Sequence, residues 1–416
     1  MSIHEDDIKV VVNKNIGGRV PPLLASPEAE KAFRFHKTIP SYKETPLVDL
    51  SSLAKELEVG GIYVKDESYR FGLNSFKALG GTYAMAKSIS LQLGFSDNNL
   101  DFDYLSSAKI REQTGMMTFI TATDGNHGRG VAWAAQQLGQ KAVVYLPKGS
   151  AKARIDAILE TGADAVVTDL NYDDTVRLAI RKSEEEGWHL VQDTAWAGYT
   201  EIPGWIMQGY TTMIYEALQQ LKAEGRKIPT HIFLQAGVGS MPAAVLGYLK
   251  NIFGEASPKA IIVEPTNAAC IYNSAAHKDG KRHPVKGDLQ TIMSGLSCGE
   301  PNVMAWDILR DFSSAFVSCT DYIAARGMRI LGHPTGHDLR IISGESGAVG
   351  AGLLSLLMEN SALAQVKKSL GLNKESFVLL FNTEGNTDPA NYRRIVWDGE
   401  YPLPTGREIT CSLDNY

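Results

Sequence analysis

A chain of 416 residues exceeds the ~250–300 residues at which a single core stops growing, so two lobes with a cleft between them are expected. With 44% hydrophobic residues, 21% charged residues and 39 glycines, the composition is that of a globular enzyme and excludes a fibrous, disordered or disulfide-framed chain. A net charge of −6 with intermixed signs offers no basic face to a phosphodiester backbone, so the expected partner is a small molecule and not a nucleic acid.

The first residues, Met1 to Asp7, are acidic and carry no apolar stretch, which argues against a secretory signal and predicts a cytoplasmic protein. No run approaches the ~18–20 apolar residues of a membrane span, so no membrane insertion is expected. A strand-like segment, Ile62 to Lys65, precedes Asn74-Ser75-Phe76-Lys77-Ala78-Leu79-Gly80-Gly81, where one lysine opens a helix of small residues. A primary amine there can form an imine with a carbonyl cofactor if partial burial leaves some of it neutral. The competing reading is a solvated helix lysine. Residues 91–114 are polar and poorly periodic, and read as an insertion or lid without a sheet strand.

Strand-like runs then follow at Thr118 to Ala122, Lys141 to Leu146, Ala165 to Thr168 and His189 to Gln192. Helical spacing fills the gaps at Gly130 to Leu138, Ser150 to Glu160 and Tyr172 to Glu186. The alternation means βαβ units and a parallel sheet. It breaks at Tyr199 to Gly204, where the chain should cross between lobes, and resumes at His231 to Leu234, Ala260 to Val263 and Ser376 to Phe381. The expected fold is α/β, with two open, twisted, mainly parallel sheets flanked by helices. Residues 1–77 with 201–416 are assigned to the larger domain and 78–200 to the smaller.

Two strand-to-helix turns add to Lys77. Thr121-Ala122-Thr123-Asp124-Gly125-Asn126-His127-Gly128 can present backbone N–H groups and the positive end of a helix dipole to a carboxylate or phosphate, or can be an ordinary helix cap. Gln235-Ala236-Gly237-Val238-Gly239-Ser240-Met241-Pro242 reads as a phosphate cradle. It lacks the third glycine and downstream acid of a dinucleotide fingerprint, which counts against a nicotinamide-dependent oxidoreductase. His277 to Pro284 reads as a charged surface loop, and no metal site is expected. Cys270, Cys298, Cys319 and Cys411 are scattered and expected to be reduced, with Cys270 and Cys298 the first pair to examine for a bond.

Lysine, carboxylate seat and phosphate cradle, in that order, resemble the fold-type II (tryptophan synthase β-like) pyridoxal-phosphate enzymes. Longer runs, Lys65 to Asn74, Thr123 to Gly128, Gln192 to Trp196 and Ile342 to Gly350, are similar to the diaminopropionate ammonia-lyases over nearly the whole chain. The resemblance implies pyridoxal 5'-phosphate held as an imine on Lys77, with its phosphate on Ala236, Gly237, Val238, Gly239, Ser240 and Met241. Asn126 would reach the ring hydroxyl and Thr383 the ring nitrogen, with Thr387 as a rival. Glu345 would face the ring edge or serve as a helix-terminal carboxylate. Thr123, Asp124, Gly125, Asn126 and His127 would hold the carboxylate of a small amino-acid substrate.

The implied reaction is α,β-elimination of ammonia from D- and L-2,3-diaminopropionate, giving pyruvate and two ammonia through aminoacrylate. A serine/threonine dehydratase is the alternative. Asp124, where dehydratases carry a small or hydroxyl residue, is the expected base. Asp193 is the expected second base or its orienting partner, against the simpler reading of a turn-stabilising carboxylate. The phosphate loop departs from the family's run of glycines in having Ala236 and Val238. The resemblance also implies a homodimer.

Overall fold

The computed structural model describes residues 6–95, 100–123, 125–404 and 408–416. In chain order its strands are β1 (Ile8–Val12), β2 (Leu47–Asp49), β3 (Gly61–Asp66), β4 (Thr118–Ala122), β5 (Lys141–Leu146) and β6 (Asp164–Val167). There follow β7 (His189–Leu190), β8 (His231–Gln235), β9 (Lys259–Pro265), β10 (Ala315–Cys319), β11 (Phe377–Asn382) and β12 (Cys411–Asn415). They form an eight-stranded sheet in the order β12-β1-β10-β9-β8-β11-β3-β2 and a four-stranded sheet in the order β6-β5-β4-β7. The small sheet is parallel throughout. In the large one only the β1–β10 and β2–β3 pairs are antiparallel. The expected two-sheet, mainly parallel α/β architecture is the one observed.

Burial follows from this topology. β3, β8 and β10 are buried at every position, as central strands covered by helices on both faces must be. β3 nevertheless ends in charge. Lys65 is satisfied by the Thr45 carbonyl, Gln220 and Glu216, each at 2.8 Å, and Arg70 by Glu67 and Glu216. Two cations thus meet two carboxylates out of contact with water, a set in which loss of one member leaves an uncompensated buried charge. The network ties the turn before Lys77 to the long helix Glu201–Ala223.

A second constraint comes from the helix Ala78–Gln92, which crosses Glu201–Ala223 at close range. A Cβ on Gly209 would lie 2.5 Å from the Leu79 carbonyl oxygen, and one on Gly80 2.6 Å from both Ile206 and Tyr210. Only glycine permits this approach, and it sets where Lys77 stands.

Several expectations differ in detail. The insertion or lid expected at 91–114 contains two short helices, Phe102–Leu105 and Ala108–Thr114, whose Phe102, Leu105 and Ile110 are buried in the main core. Three anchors divided between two short helices produce no readable period. The helix expected from Gly130 begins at Asn126. β7 stops at Leu190 because the Val191 carbonyl turns to His127 and the Gln192 amide to the Tyr199 hydroxyl. Residues Tyr199 to Gly204 lead into the long helix, with Pro203 in its first turn, where a missing N–H costs nothing. Among the described residues no single helix is long and apolar enough to cross a membrane.

Candidate active site

The carboxyl ends of β3, β8 and β11, adjacent in the large sheet, face those of β4 and β7 in the small one, the usual place for a ligand in parallel sheets. The cleft there encloses about 710 Å³, part of it open to solvent. Phe76, Lys77, Thr123, Asn126, His127, Asp193, Gly237 to Pro242 and Thr383 line it. Segments far apart in the sequence therefore meet.

Lys77 is fixed by its approach. Phe71 and Asn74 sit at φ 51° and 55°, the left-handed region, which Asn tolerates better than most residues. The segment then bridges to the chain after β11: the Phe76 amide donates to Thr383, the Gly385 amide donates to Asn74, and Ser75 pairs with Glu384. Lys77 Nζ donates to Asp193 Oδ2 at 2.5 Å and lies over the rings of Phe76 and Tyr210. Burial would raise the Asp193 carboxyl, but the Lys77 ammonium outweighs it and holds the group at about 2. Asp193 is thus an ionised partner for the lysine, which the turn-stabilising reading does not include.

In the small-lobe turn, Thr123 Oγ1 accepts from the amides of Gly125 and Gly128 at 2.9 and 3.0 Å. Gly125 therefore spends its N–H inside the turn and does not line the cleft, contrary to its expected part in carboxylate binding. Asn126 and His127 open the helix, where backbone donors have no carbonyl in a preceding turn. His127 Nε2 donates to the Val191 carbonyl at 2.8 Å, and burial lowers its pKa, so the ring is neutral with a lone pair on Nδ1. That nitrogen cannot donate to a carboxylate, and only the His127 amide suits the expected role. Asp124 lies outside the described residues.

The phosphate cradle is narrower than expected. The Ala236 amide is bound by Val263 in the sheet and the residue does not line the cleft, so Ala236 is removed from the set. Gly237, Val238, Gly239, Ser240 and Met241 remain. A Cβ on Gly237 would lie 3.1 Å from Cys298 Sγ, and Gly239 has φ +98°, which strongly favours glycine. Ser240 then begins a buried helix, and its hydroxyl donates to the Asp193 carbonyl and accepts from Asn302, so the cradle's remaining donors are amides. Thr383 Oγ1 accepts from Gln235 at 2.8 Å, leaving its own proton to donate into the cleft. Thr387 is turned to Glu384 and Arg154. Glu345 turns to Asn391 and stands outside this lining; burial, then Glu384, raise its carboxyl to about 7.

Some lining residues were not anticipated: Tyr172, Gln235, Ser294 to Cys298, Ser346 and Glu384. Glu384 was available in the motif after β11, beside Thr383, and Gln235 in the motif opening the cradle. The loop at 294–298 carries no periodicity or charge pattern that could have revealed it. None of the four cysteines forms a disulfide; Cys270 Sγ donates to the Gly237 carbonyl at 3.7 Å, and Cys298 Sγ lies against Gly237.

A reactive lysine, a glycine-built anion cradle and a hydroxyl donor in one cleft fit a phosphorylated aromatic aldehyde. The family described as "Pyridoxal-phosphate dependent enzyme" matches residues 39–367. The chain belongs to that family. Within it the chain stands with the diaminopropionate ammonia-lyases. It is 51% identical over 403 residues to the diaminopropionate ammonia-lyase of Escherichia coli (strain K12), covering 97% of this chain and 100% of that one. A crystal structure of the Escherichia coli enzyme in complex with an aminoacrylate-PLP azomethine reaction intermediate superposes with TM-score 0.88 at 49% identity, covering 95% and 98% of the two chains. An L-threonine dehydratase of Escherichia coli (strain K12) is 27% identical over 368 residues, 88% of this chain and 59% of that one.

Proposed function

We propose that this pyridoxal-phosphate-dependent enzyme removes ammonia from D- and L-2,3-diaminopropionate, giving pyruvate and two ammonia through aminoacrylate. The observation that carries the reading is the Lys77–Asp193 pair inside a cleft walled by the Gly237–Ser240 cradle and Thr383. When bound, pyridoxal phosphate supplies an aldehyde for the lysine and an electron sink that acidifies the substrate's α-proton. The chain's own residues do the rest. Amides of Gly237 to Met241 would hold the phosphate, and the Thr383 hydroxyl would donate to the ring nitrogen without protonating it. Amides of Asn126 and His127 hold the substrate carboxylate at a helix N-terminus.

Asp193 positions the Lys77 Nζ. Its carboxylate accepts directly from Lys77 Nζ at 2.5 Å, so orientation is the better supported of its two expected roles. Asp124 remains the proposed base. Residues 1–77 with 201–416 form the proposed larger domain and 78–200 the smaller, in line with the two sheets. The scattered spacing of the four cysteines, without a disulfide framework, supports a cytoplasmic location. A homodimer is the proposed assembly, resting on the family resemblance; light scattering would report its mass directly.

The decisive assay adds each enantiomer of 2,3-diaminopropionate to the cofactor-loaded protein and follows pyruvate, with D- and L-serine as controls. Pyruvate from both diaminopropionates and little from serine is expected. Turnover of L-serine or L-threonine alone would make the protein a dehydratase.

A further inference from the structure

We propose that Glu384, together with the Ser346 hydroxyl, seats the substrate's β-ammonium and sets the preference for an amine over a hydroxyl leaving group. The inference rests on the elimination reading above and names the side chains that choose its substrate. Among the described residues the carboxylates lining the cleft are Asp193 and Glu384. Asp193 is matched by the Lys77 ammonium. Glu384 is only 2% exposed and has no cationic partner among the described residues.

Its hydrogen bonds come from neutral donors: Asn126 Nδ2 at 2.6 Å and Thr387 Oγ1 at 3.4 Å on Oε2, and the Ser346 amide at 3.1 Å on Oε1. A carboxylate offers about four lone-pair sites, so one remains on Oε1. Beside it Ser346, 3% exposed and also lining the cleft, has a buried hydroxyl oxygen with no partner. An ammonium is three donors with no acceptor, and this pair of acceptors complements it. A β-hydroxyl brings one proton and no charge, and leaves the buried carboxylate without a counter-ion.

The electron balance agrees with that seat. The α-proton goes to the base, the Cα–H pair becomes the Cα=Cβ bond, and the Cβ–N pair departs with a nitrogen already carrying three protons, released as neutral ammonia. Glu384 would hold that nitrogen protonated until the bond breaks.

The test compares Glu384→Gln, Glu384→Asp and Ser346→Ala with the wild type, using kcat/KM for D-2,3-diaminopropionate and for D-serine at saturating pyridoxal phosphate. In Glu384→Gln the diaminopropionate-to-serine ratio should fall at least about tenfold, the order expected for a charge-assisted hydrogen bond, mainly through KM. Glu384→Asp, which keeps the charge, should recover part of the ratio, and Ser346→Ala should lower it less. Equal loss on both substrates, or loss of the cofactor's visible band in Glu384→Gln with no recovery in Glu384→Asp, would overturn the proposal and leave Glu384 as a prop for Asn126. A wild type inactive on diaminopropionate would instead overturn the elimination reading itself.

Discussion

Asp193→Asn isolates the interaction that holds Lys77. The Asp193 carboxyl, fully buried, lies at about 2 against an ordinary 3.8, a difference worth on the order of 2 kcal/mol. Because the folded value lies below the ordinary one, this stabilisation is fully present above about pH 4 and is lost as the pH falls through about 2. At pH 7 the Asn variant should therefore be less stable than the wild type by about 2 kcal/mol, with the gap closing in acid. The same coupling acts reciprocally on the Lys77 ammonium, which the charged partner favours over the free amine. In cofactor-free protein the pH dependence of pyridoxal phosphate capture, followed by visible absorbance in a stopped-flow instrument, should move to lower pH in Asp193→Asn. An unchanged pH dependence, with unchanged stability at pH 7, would refute the claim that Asp193 controls the lysine. Selective loss of activity on one enantiomer, with lysine titration unaffected, would restore Asp193 as a second base.

Gly239→Ala places a side chain at φ +98° with its Cβ 3.1 Å from Leu309. It should cost about 1–3 kcal/mol in thermal unfolding and weaken pyridoxal phosphate binding in equilibrium titration. Glu345 has the opposite sign from Asp193. Its carboxyl is raised from 4.5 to about 7 by burial and then by Glu384, so its contribution is greatest in acid and declines as the pH rises from about 4.5 to 7. Glu345→Gln keeps an acceptor for Asn391 and should gain stability relative to the wild type between pH 5 and 8, read from melting curves across that range.

The linear sequence determined the central strands and the chemistry, while the strands β1, β2, β10 and β12 were not read from it. Apolar runs bounded by turn residues give β4 and β5 residue for residue, because a strand buried between helices must be apolar along its length. Lys77, the small-lobe turn and the cradle were each legible because their residue types have local reasons: a lysine at a tight turn, and glycine where φ is positive. What only the tertiary structure decided is which donors are still available. Ala236 and Gly125 belong to the right motifs, yet Val263 and Thr123 consume their amides, and partner choice across a sheet or turn is invisible in a string of letters. Glu384 shows the same limit from the other side. Its letter was in view after β11, but its significance comes from burial beside Asn126, which lies 258 positions away. Long-range proximity depends on how two sheets dock, and docking is set by helix crossings such as Gly80 against Gly209, whose members are far apart in the chain with no common period.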